Sequence, residues 1–418
     1  MKKFALIWPK STSMEFINYH CVQFIEIFDY LDTRFNNQII PIDCDLDNLS
    51  LNELLKKVVM YDLVGVVMRV NPENVSQSIR TCEILKQVFP SIKIMAYGDL
   101  PILLPELFLK YPIDAIHSDG DSELSIESFL HYCNNNEEEK LLGIKLIKNG
   151  CLIDTNAGGI LDPEYWGFAQ LDNPLTKKYC AARQKNRIAV SISRDCPFKC
   201  KHCLVYTTQG ARERKRGIDS LVQYLRSVYP KYSKIKLWSA NFTYDTQYAY
   251  EFCNKFIENF PNITWDVTTR VDLLKNKELL KLMYKAGCRQ IGVGVESISE
   301  IEINYAHKQF SLEQLRQSIM LVQSVGIKFK PLIMLGIPSQ TKNSIIATIK
   351  YLTECGISIY DIRPSMYTPY YLMDKNMSLP EIENFNRSFY YTALPDVSFK
   401  QLLQIQYCVE KYKEILVQ

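Results

Sequence analysis

Cys196, Cys200 and Cys203 stand in the run Ser193-Arg194-Asp195-Cys196-Pro197-Phe198-Lys199-Cys200-Lys201-His202-Cys203, and this CxxxCxxC spacing puts three thiolates on one short loop. Three thiolates can hold three irons of a [4Fe–4S] cube and leave the fourth iron open to a small molecule, an arrangement suited to chemistry. The competing use of the same residues is a structural zinc site completed by a fourth ligand such as His202. Adjacent residues do not easily ligate one ion from so tight a turn, and the paired CxxC half-sites usual for zinc are missing.

The loop needs an element that aims it. Arg187–Ser193 is a short β-branched run that reads as a buried strand ending where the loop begins, and ligand sites open at that end in parallel sheets and barrels. Further strands are expected at Ile235–Ser239, Ile263–Thr269, Gln290–Val295, Phe329–Leu335 and Tyr360–Met366, with helices between them. The clearest helix is Ser311–Val325, with Ser311 as N-cap and Gly326 as stop. Six such βα units make three quarters of a TIM-type barrel.

Upstream, Phe4–Trp8, Gln38–Ile42, Leu63–Val70, Ile92–Tyr97 and Asp114–Ser118 read as strands, with helical periodicity in Tyr19–Leu31, Val75–Phe89 and Glu106–Tyr111. This alternation predicts a doubly wound, Rossmann-like parallel sheet, so the fold class is α/β. Leu141–Ile147 and Cys151–Asp154 form a hairpin around Asn149-Gly150, and 157–184 lacks periodicity and reads as a linker. The expected plan is a sheet domain over 1–145, hairpin and linker over 146–186, a partial barrel over 187–375 and a helical extension over 376–418, its two helices packed on the barrel.

With 49 basic and 46 acidic residues and a net charge of +3, no field strong enough to imply nucleic acid or a membrane surface follows. The basic run Arg212–Arg216 reads as a solvated loop. The apolar start Phe4–Trp8 stops at Pro9-Lys10 without a cleavage site, and Val58–Val70 is broken by Tyr61, Asp62 and Arg69, so neither a leader nor a membrane span is expected. Ten of the 13 cysteines (Cys21, Cys44, Cys82, Cys133, Cys151, Cys180, Cys253, Cys288, Cys355, Cys408) are scattered without framework spacing, as expected of core fillers in a reducing cytoplasm.

The cysteine run resembles the signature of the radical S-adenosylmethionine (radical SAM) superfamily, CxxxCxΦC, with His202 in the aromatic place and Asp195 where one branch has glycine. The resemblance implies that S-adenosylmethionine chelates the open iron and is cleaved by one electron to a 5'-deoxyadenosyl radical. It also implies an open (β/α)6 barrel, and an external donor of flavodoxin or ferredoxin type. Gly292-Val293-Gly294-Val295-Glu296-Ser297 is similar to the family's "GxES" segment, which makes Gly294 and Glu296 cofactor contacts, Glu296 on the ribose. Thr269-Arg270-Val271-Asp272 is similar to "RVD", which assigns Arg270 to the methionyl carboxylate. Gly336-Ile337-Pro338 resembles the "GLP" turn beside the adenine. Ser239-Ala240-Asn241-Phe242 resembles "DDNF" with both acids replaced, leaving Asn241 as a contact, and Tyr367-Thr368-Pro369-Tyr370 resembles "PYPGT" with its end lost. Lys308 falls where the family often has a basic residue, and a long exposed lysine carries little weight.

The first half resembles the cobalamin-binding branch of that superfamily. Tyr97-Gly98-Asp99-Leu100-Pro101-Ile102-Leu103-Leu104-Pro105-Glu106 stands for "GGPHPTLLPE", and Ser118-Asp119-Gly120-Asp121 for "GEGE", which implies cobalamin contacts at Tyr97, Gly98, Asp119 and Gly120. No Asp-x-His-x-x-Gly occurs, and His117 reads as a core residue of its strand rather than a cobalt ligand. The branch implies C-methylation of an unactivated carbon in a small molecule or peptide. Two further readings stand beside it: a radical SAM enzyme whose N-terminal sheet docks a substrate or partner without cobalamin, and a non-catalytic metal-stabilised scaffold.

Overall fold

The computed structural model describes residues 2–11, 21–182, 187–385, 398, 400–402, 404, 405 and 407. The chain forms two compact units: Met1–Lys185 with Thr207–Gln209 and Leu372–Asn384, and Asn186–Tyr206 with Gly210–Tyr371 and Phe385–Gln418.

In the first unit, β1 (Lys3–Trp8), β2 (Ile39–Asp43), β3 (Leu63–Arg69), β4 (Lys93–Tyr97) and β5 (Ala115–His117) are parallel in the order β2-β1-β3-β4-β5. This is a doubly wound sheet whose order reverses between β1 and β3. The hairpin β6 (Ile144–Lys148) and β7 (Cys151–Asp154) extends it antiparallel from β5. Its turn has Asn149 and Gly150 at φ 51° and 73°, the left-handed pair that tight hairpins need.

Period-2 alternation sends Ile7, Val66, Met68, Ile94, Ala96 and Ile116 to one face, where they pack with Leu54 and Val58 of α2 (Leu51–Val58) and Ile79 and Cys82 of α3 (Val75–Val88). On the other face α1 (Cys21–Phe35) sets Phe24 edge-on to Trp8 at 5.6 Å and Phe35 edge-on to Phe4 at 5.7 Å. The expected helix Tyr19–Leu31 thus continues to Phe35, and its first two residues lie outside the described ones. After α4 (Asp99–Leu103), the expected helix at Glu106–Tyr111 is the 3₁₀ segment Pro105–Lys110, and α5 (Ser122–Asn135) follows β5.

The segment expected as a linker is tied to this unit. Gly158 N donates to Asp119 Oδ2 at 2.8 Å, Leu161 N to Asp121 Oδ2 at 2.7 Å, and Phe168 N to Asp29 Oδ2 at 2.9 Å, ahead of α6 (Pro174–Ala182).

The second unit is a six-stranded parallel sheet, β8 (Arg187–Ser191), β11 (Lys234–Trp238), β12 (Thr264–Arg270), β13 (Cys288–Glu296), β14 (Lys328–Leu335) and β15 (Arg363–Met366), paired in chain order. It is an open half-barrel whose end strands are β8 and β15. A two-strand ribbon, β9 (Ser193–Arg194) with β10 (Arg214–Lys215), closes the base of the cysteine loop, which contains the one-turn α7 (Val205–Thr208). Helices α8 (Ile218–Val228), α9 (Thr246–Asn259), α10 (Lys277–Lys285), α11 (Glu300–Tyr305), α12 (Leu312–Ser324) and α13 (Lys342–Glu354) connect the strands. Ser311 caps α12 in a reciprocal box with Gln314, and Gly326 ends the turn after it at φ 85°.

The extension was expected on the barrel. Its described helix, α14 (Leu379–Glu383), instead belongs to the first unit: Ile382 joins that unit's core, and Glu383 Oε1 accepts from Ser76 N at 2.8 Å. The reason is the apolar set Met373, Met377, Leu379 and Ile382 packed against that core. The rest of the extension lies mostly outside the described residues. No helix among the described residues is long and apolar enough to cross a membrane.

Trp265 is the pin of the half-barrel's outer layer. Its ring packs against Phe242, Phe252 and Phe256, and Nε1 donates to Ala286 O at 2.8 Å. Trp265→Ala should lower stability by about 3–5 kcal/mol and Trp265→Phe, which keeps a ring, by about half that or less. Denaturant melts followed by near-UV circular dichroism check this; equal losses in the two variants would contradict it.

Candidate functional site

The C-terminal end of β8 turns directly into the cysteine loop. Cys196 N donates to Gly210 O at 3.1 Å and Cys203 N to Cys200 O at 3.0 Å. Asp195 takes φ 68°, a left-handed backbone that glycine adopts most easily, and it is held there by Arg214. The guanidinium meets the carboxylate twice, at 2.6 Å from Nε and 3.1 Å from Nη2, the bidentate geometry that suits arginine. Both groups are largely buried. Arg216 is fully buried and its Nε donates to Ser191 O at 3.0 Å. The basic run expected to be a solvated loop is therefore partly internal, because β9 needs an antiparallel partner and Asp195 needs a cation.

Two donors, one from the loop after β11 and one from the end of β12, reach the thiols. Asn241 Nδ2 lies 3.2 Å from Cys196 Sγ, and Arg270 Nη1 lies 3.2 Å from Cys200 Sγ. Arg270 also donates from Nε to Asp272 at 2.9 Å and stacks on Phe198 at 3.9 Å. The residue expected to meet a methionyl carboxylate thus faces a cysteine sulfur. Ser239, in place of an acid, accepts from Ser193 Oγ at 2.9 Å. Burial pushes the Cys203 thiol up to about 11 and raises Cys196 as well, with the neighbouring thiols adding to both. No three His, Cys, Asp or Glu side chains among the described residues converge on one point.

Glu296 forms a second focus. The β13–β14 register shifts between Gly294 and Glu296, and Glu296 takes φ 63°, so a bulge turns its carboxylate inward. Lys308 Nζ sits 2.9 Å from Oε1, and His202 Nε2 is 3.8 Å from the same oxygen. Burial by itself would raise the Glu296 carboxyl, but Lys308, His202 and Arg270 outweigh it and hold the group below the ordinary carboxylate range. Burial disfavours the Lys308 ammonium, yet Glu296 and Cys200 raise it. Lys308 is 8% exposed, not the long exposed lysine expected; the turn after α11 folds it back because the buried carboxylate requires a cation. Gly294 serves this pair, since a Cβ there would fall 2.7 Å from Lys308 Nζ and 2.8 Å from Glu296 Oε1. Burial, with Lys308 and Arg270, disfavours the protonated form of His202 against the pull of Glu296, and its Nδ1 is buried without a hydrogen-bond partner.

The turn after β14 is braced from within: Gly336 N donates to Gln340 Oε1 at 2.6 Å, and Gln340 Nε2 donates to Glu302 and to Met334 O. Ile337 is buried and Pro338 follows it. Outside the cysteine loop, Tyr305, Tyr367 and Tyr371 bring their hydroxyls together at 2.5–3.4 Å, with Lys201 Nζ 4.0 Å over the Tyr305 ring. Sequence reasoning missed Arg214 and this tyrosine cluster. The signal for Arg214 was an aspartate in a glycine position, which calls for a nearby cation.

In the first unit, Gly98 (φ 116°) gives room to Asn71 Oδ1 and Val70 O, and Gly120 (φ 77°) to the backbone of Gly158 and Gly159. Both expected corrin-facing glycines thus accommodate the chain itself, and Asp119 holds Gly158. Tyr97 and His117 fit a ligand better. Both are buried at strand ends, and the Tyr97 hydroxyl and His117 Nε2 have no hydrogen-bond partner.

Lys308→Met should destabilise the fold by about 3–5 kcal/mol by leaving a buried carboxylate unpaired. The folded-state carboxyl lies below its unfolded value of 4.5, so the wild-type contribution is complete above that pH and is lost as pH falls through the depressed value. In Lys308→Met, burial dominates and raises the carboxyl, so stability falls as pH rises. Melting temperatures from pH 4 to 8 check this, and matching profiles would refute it.

Residues 190–352 match the Radical SAM superfamily. Among curated proteins, the chain is 22% identical over 391 residues to an anaerobic magnesium-protoporphyrin IX monomethyl ester cyclase of Rubrivivax gelatinosus, covering 88% of this chain and 67% of that one. Among solved structures it resembles the radical S-adenosylmethionine methyltransferase TsrM from Kitasatospora setae with cobalamin and a [4Fe–4S] cluster bound (TM-score 0.70, 14% identity, 89% of this chain and 77% of that chain). It also resembles the cobalamin-dependent S-adenosylmethionine radical enzyme OxsB with aqua-cobalamin and S-adenosylmethionine bound (TM-score 0.70, 15% identity), covering 98% of this chain and 61% of that one. At these identities the structural likeness is one of fold.

Proposed function

For a chain that carries a radical SAM domain, we propose a cobalamin-dependent methyltransferase acting on an unactivated carbon of a small molecule or peptide. The observation that carries the reading is the cysteine loop at the end of the first half-barrel strand, with polar donors on two of its three sulfurs. Cys196, Cys200 and Cys203 would hold a [4Fe–4S] cluster that, once reduced, cleaves S-adenosylmethionine to a 5'-deoxyadenosyl radical. Asn241 and Arg270 withdraw charge from the thiolates by hydrogen bonding, which raises the reduction potential. Glu296, fixed by Lys308, accepts the ribose hydroxyls, and the Gly336-Ile337-Pro338 turn flanks the adenine. His202 presents Nδ1 to the same cofactor.

The fold likeness to TsrM and OxsB and the unpartnered Tyr97 and His117 groups support cobalamin in the first unit. When bound, it supplies a methyl group to a carbon radical. The electron comes from an external donor of flavodoxin or ferredoxin type. The described cysteines are free thiols, in keeping with the cytoplasm. The likeness to a cyclase favours ring formation as the second reading.

Anaerobic reconstitution followed by reduction tests the proposal. Wild type should gain iron and sulfide, form 5'-deoxyadenosine and retain a corrinoid on desalting. Alanine at Cys196, Cys200 or Cys203 should abolish cleavage, and Glu296→Gln should weaken S-adenosylmethionine binding by about tenfold or more with the cluster absorbance kept. Stoichiometric zinc without sulfide would sink the cluster, and methyl transfer without a corrinoid would sink the cobalamin role.

A further inference from the structure

The strand ends of the first unit form one polar row. Trp8 pairs in register with Asp43, and Arg69 with Tyr97. Ile7 pairs with Met68, and Ala96 with Ile116, so Trp8 meets Arg69 and Tyr97 meets His117 one step further along. Residues in register on parallel strands share a face. Asp43, Trp8, Arg69, Tyr97 and His117 therefore cross the C-terminal edge of five adjacent strands, where doubly wound sheets take their ligands.

Arg69 is the anomaly in this row. It is 6% exposed, its guanidinium lies 4.1 Å over the Trp8 ring and 5.9 Å from that of Tyr97, and its Nε has no hydrogen-bond partner. Beside it, the Tyr97 hydroxyl (1% exposed residue) and His117 Nε2 (4%) are likewise unpartnered. Buried arginine is normally paired with a carboxylate. Asp43, Glu73 and Glu123 are close enough to act on Tyr97 or Arg69 through space, yet none of the ion pairs among the described residues includes Arg69.

We propose that Arg69 and Tyr97, at the centre of this row, form a receptor for a phosphodiester. A diester carries one negative charge and two free oxygens, enough to accept from the guanidinium and from the phenol. A doubly charged phosphate monoester would leave one charge uncompensated by the single guanidinium. The diester could be that of a cobalamin nucleotide loop, in which case its source rests on the reading above, or that of a separate ligand.

The test uses the full-length chain and two corrinoids: hydroxocobalamin, which has the phosphodiester, and cobinamide, which lacks it. Dimethyl phosphate serves as the isolated probe. Wild type should bind hydroxocobalamin at least about tenfold more tightly than cobinamide by equilibrium dialysis, and dimethyl phosphate should raise its melting temperature. Arg69→Met and the milder Tyr97→Phe should erase or reduce both effects, with circular dichroism confirming the fold. Stabilisation by dimethyl phosphate with neither corrinoid bound would keep the receptor and overturn the cobalamin reading. Equal binding of both corrinoids, unchanged in the variants, would keep cobalamin and overturn the receptor. No response to any of the three probes would overturn both.

Discussion

A carboxylate inside a protein must be met by a cation, and the Glu296–Lys308 pair organises much of the half-barrel's working face around that demand. Lys308 returns to β13 only because α11 is short and turns at His307, which takes φ 55°. The same turn holds the cysteine loop from outside: Lys201 N donates to Ala306 O, and His307 Nδ1 donates to Lys199 O. The pair, the bulge that aims Glu296 and the room left by Gly294 are thus one device. It sets the carboxylate beside His202, which is also part of the cysteine loop.

Unfavourable backbone geometry gathers around this face. Asp195, Glu296, His307 and Ser339 all have positive φ without being glycine, and such positions persist only where surroundings over-determine them. Asp195 has Arg214, Glu296 has Lys308, and Ser339 sits in the turn that Gln340 braces. Each has a polar anchor nearby. In the first unit, the strand ends stack Arg69 on Trp8 and align Arg69 in register with Tyr97.

The strand positions and the start of α12 were legible because they rest on local signals: β-branched runs, Ser311 as a cap and the Asn149-Gly150 turn. The cysteine spacing was legible for the same reason. Lys308 was underrated because its burial depends on a partner twelve residues away across a turn. Helix α5 escaped notice because its many serines, asparagines and glutamates blur the apolar stripe. The site for α14 was beyond local patterns, since its apolar residues say that it packs but not on what. Arg69 shows the same limit: a charge within an apolar strand looks like an interruption until the neighbouring strands are aligned.

The polar groups that reach the cysteine sulfurs all lie downstream of them. Arg214 closes the loop, Asn241 approaches Cys196 from 45 residues on, and Arg270 approaches Cys200 from 70 residues on. On the ribosome, the thiols therefore emerge well before the groups that will surround them. A nascent chain stopped before β12 would have the loop closed by Arg214 but would leave Cys200 without the Arg270 guanidinium, more open to oxidation and to whichever thiophilic ion arrives first. Faithful metallation of this fold is accordingly a matter of timing, with metal delivery best placed after synthesis of the third half-barrel strand.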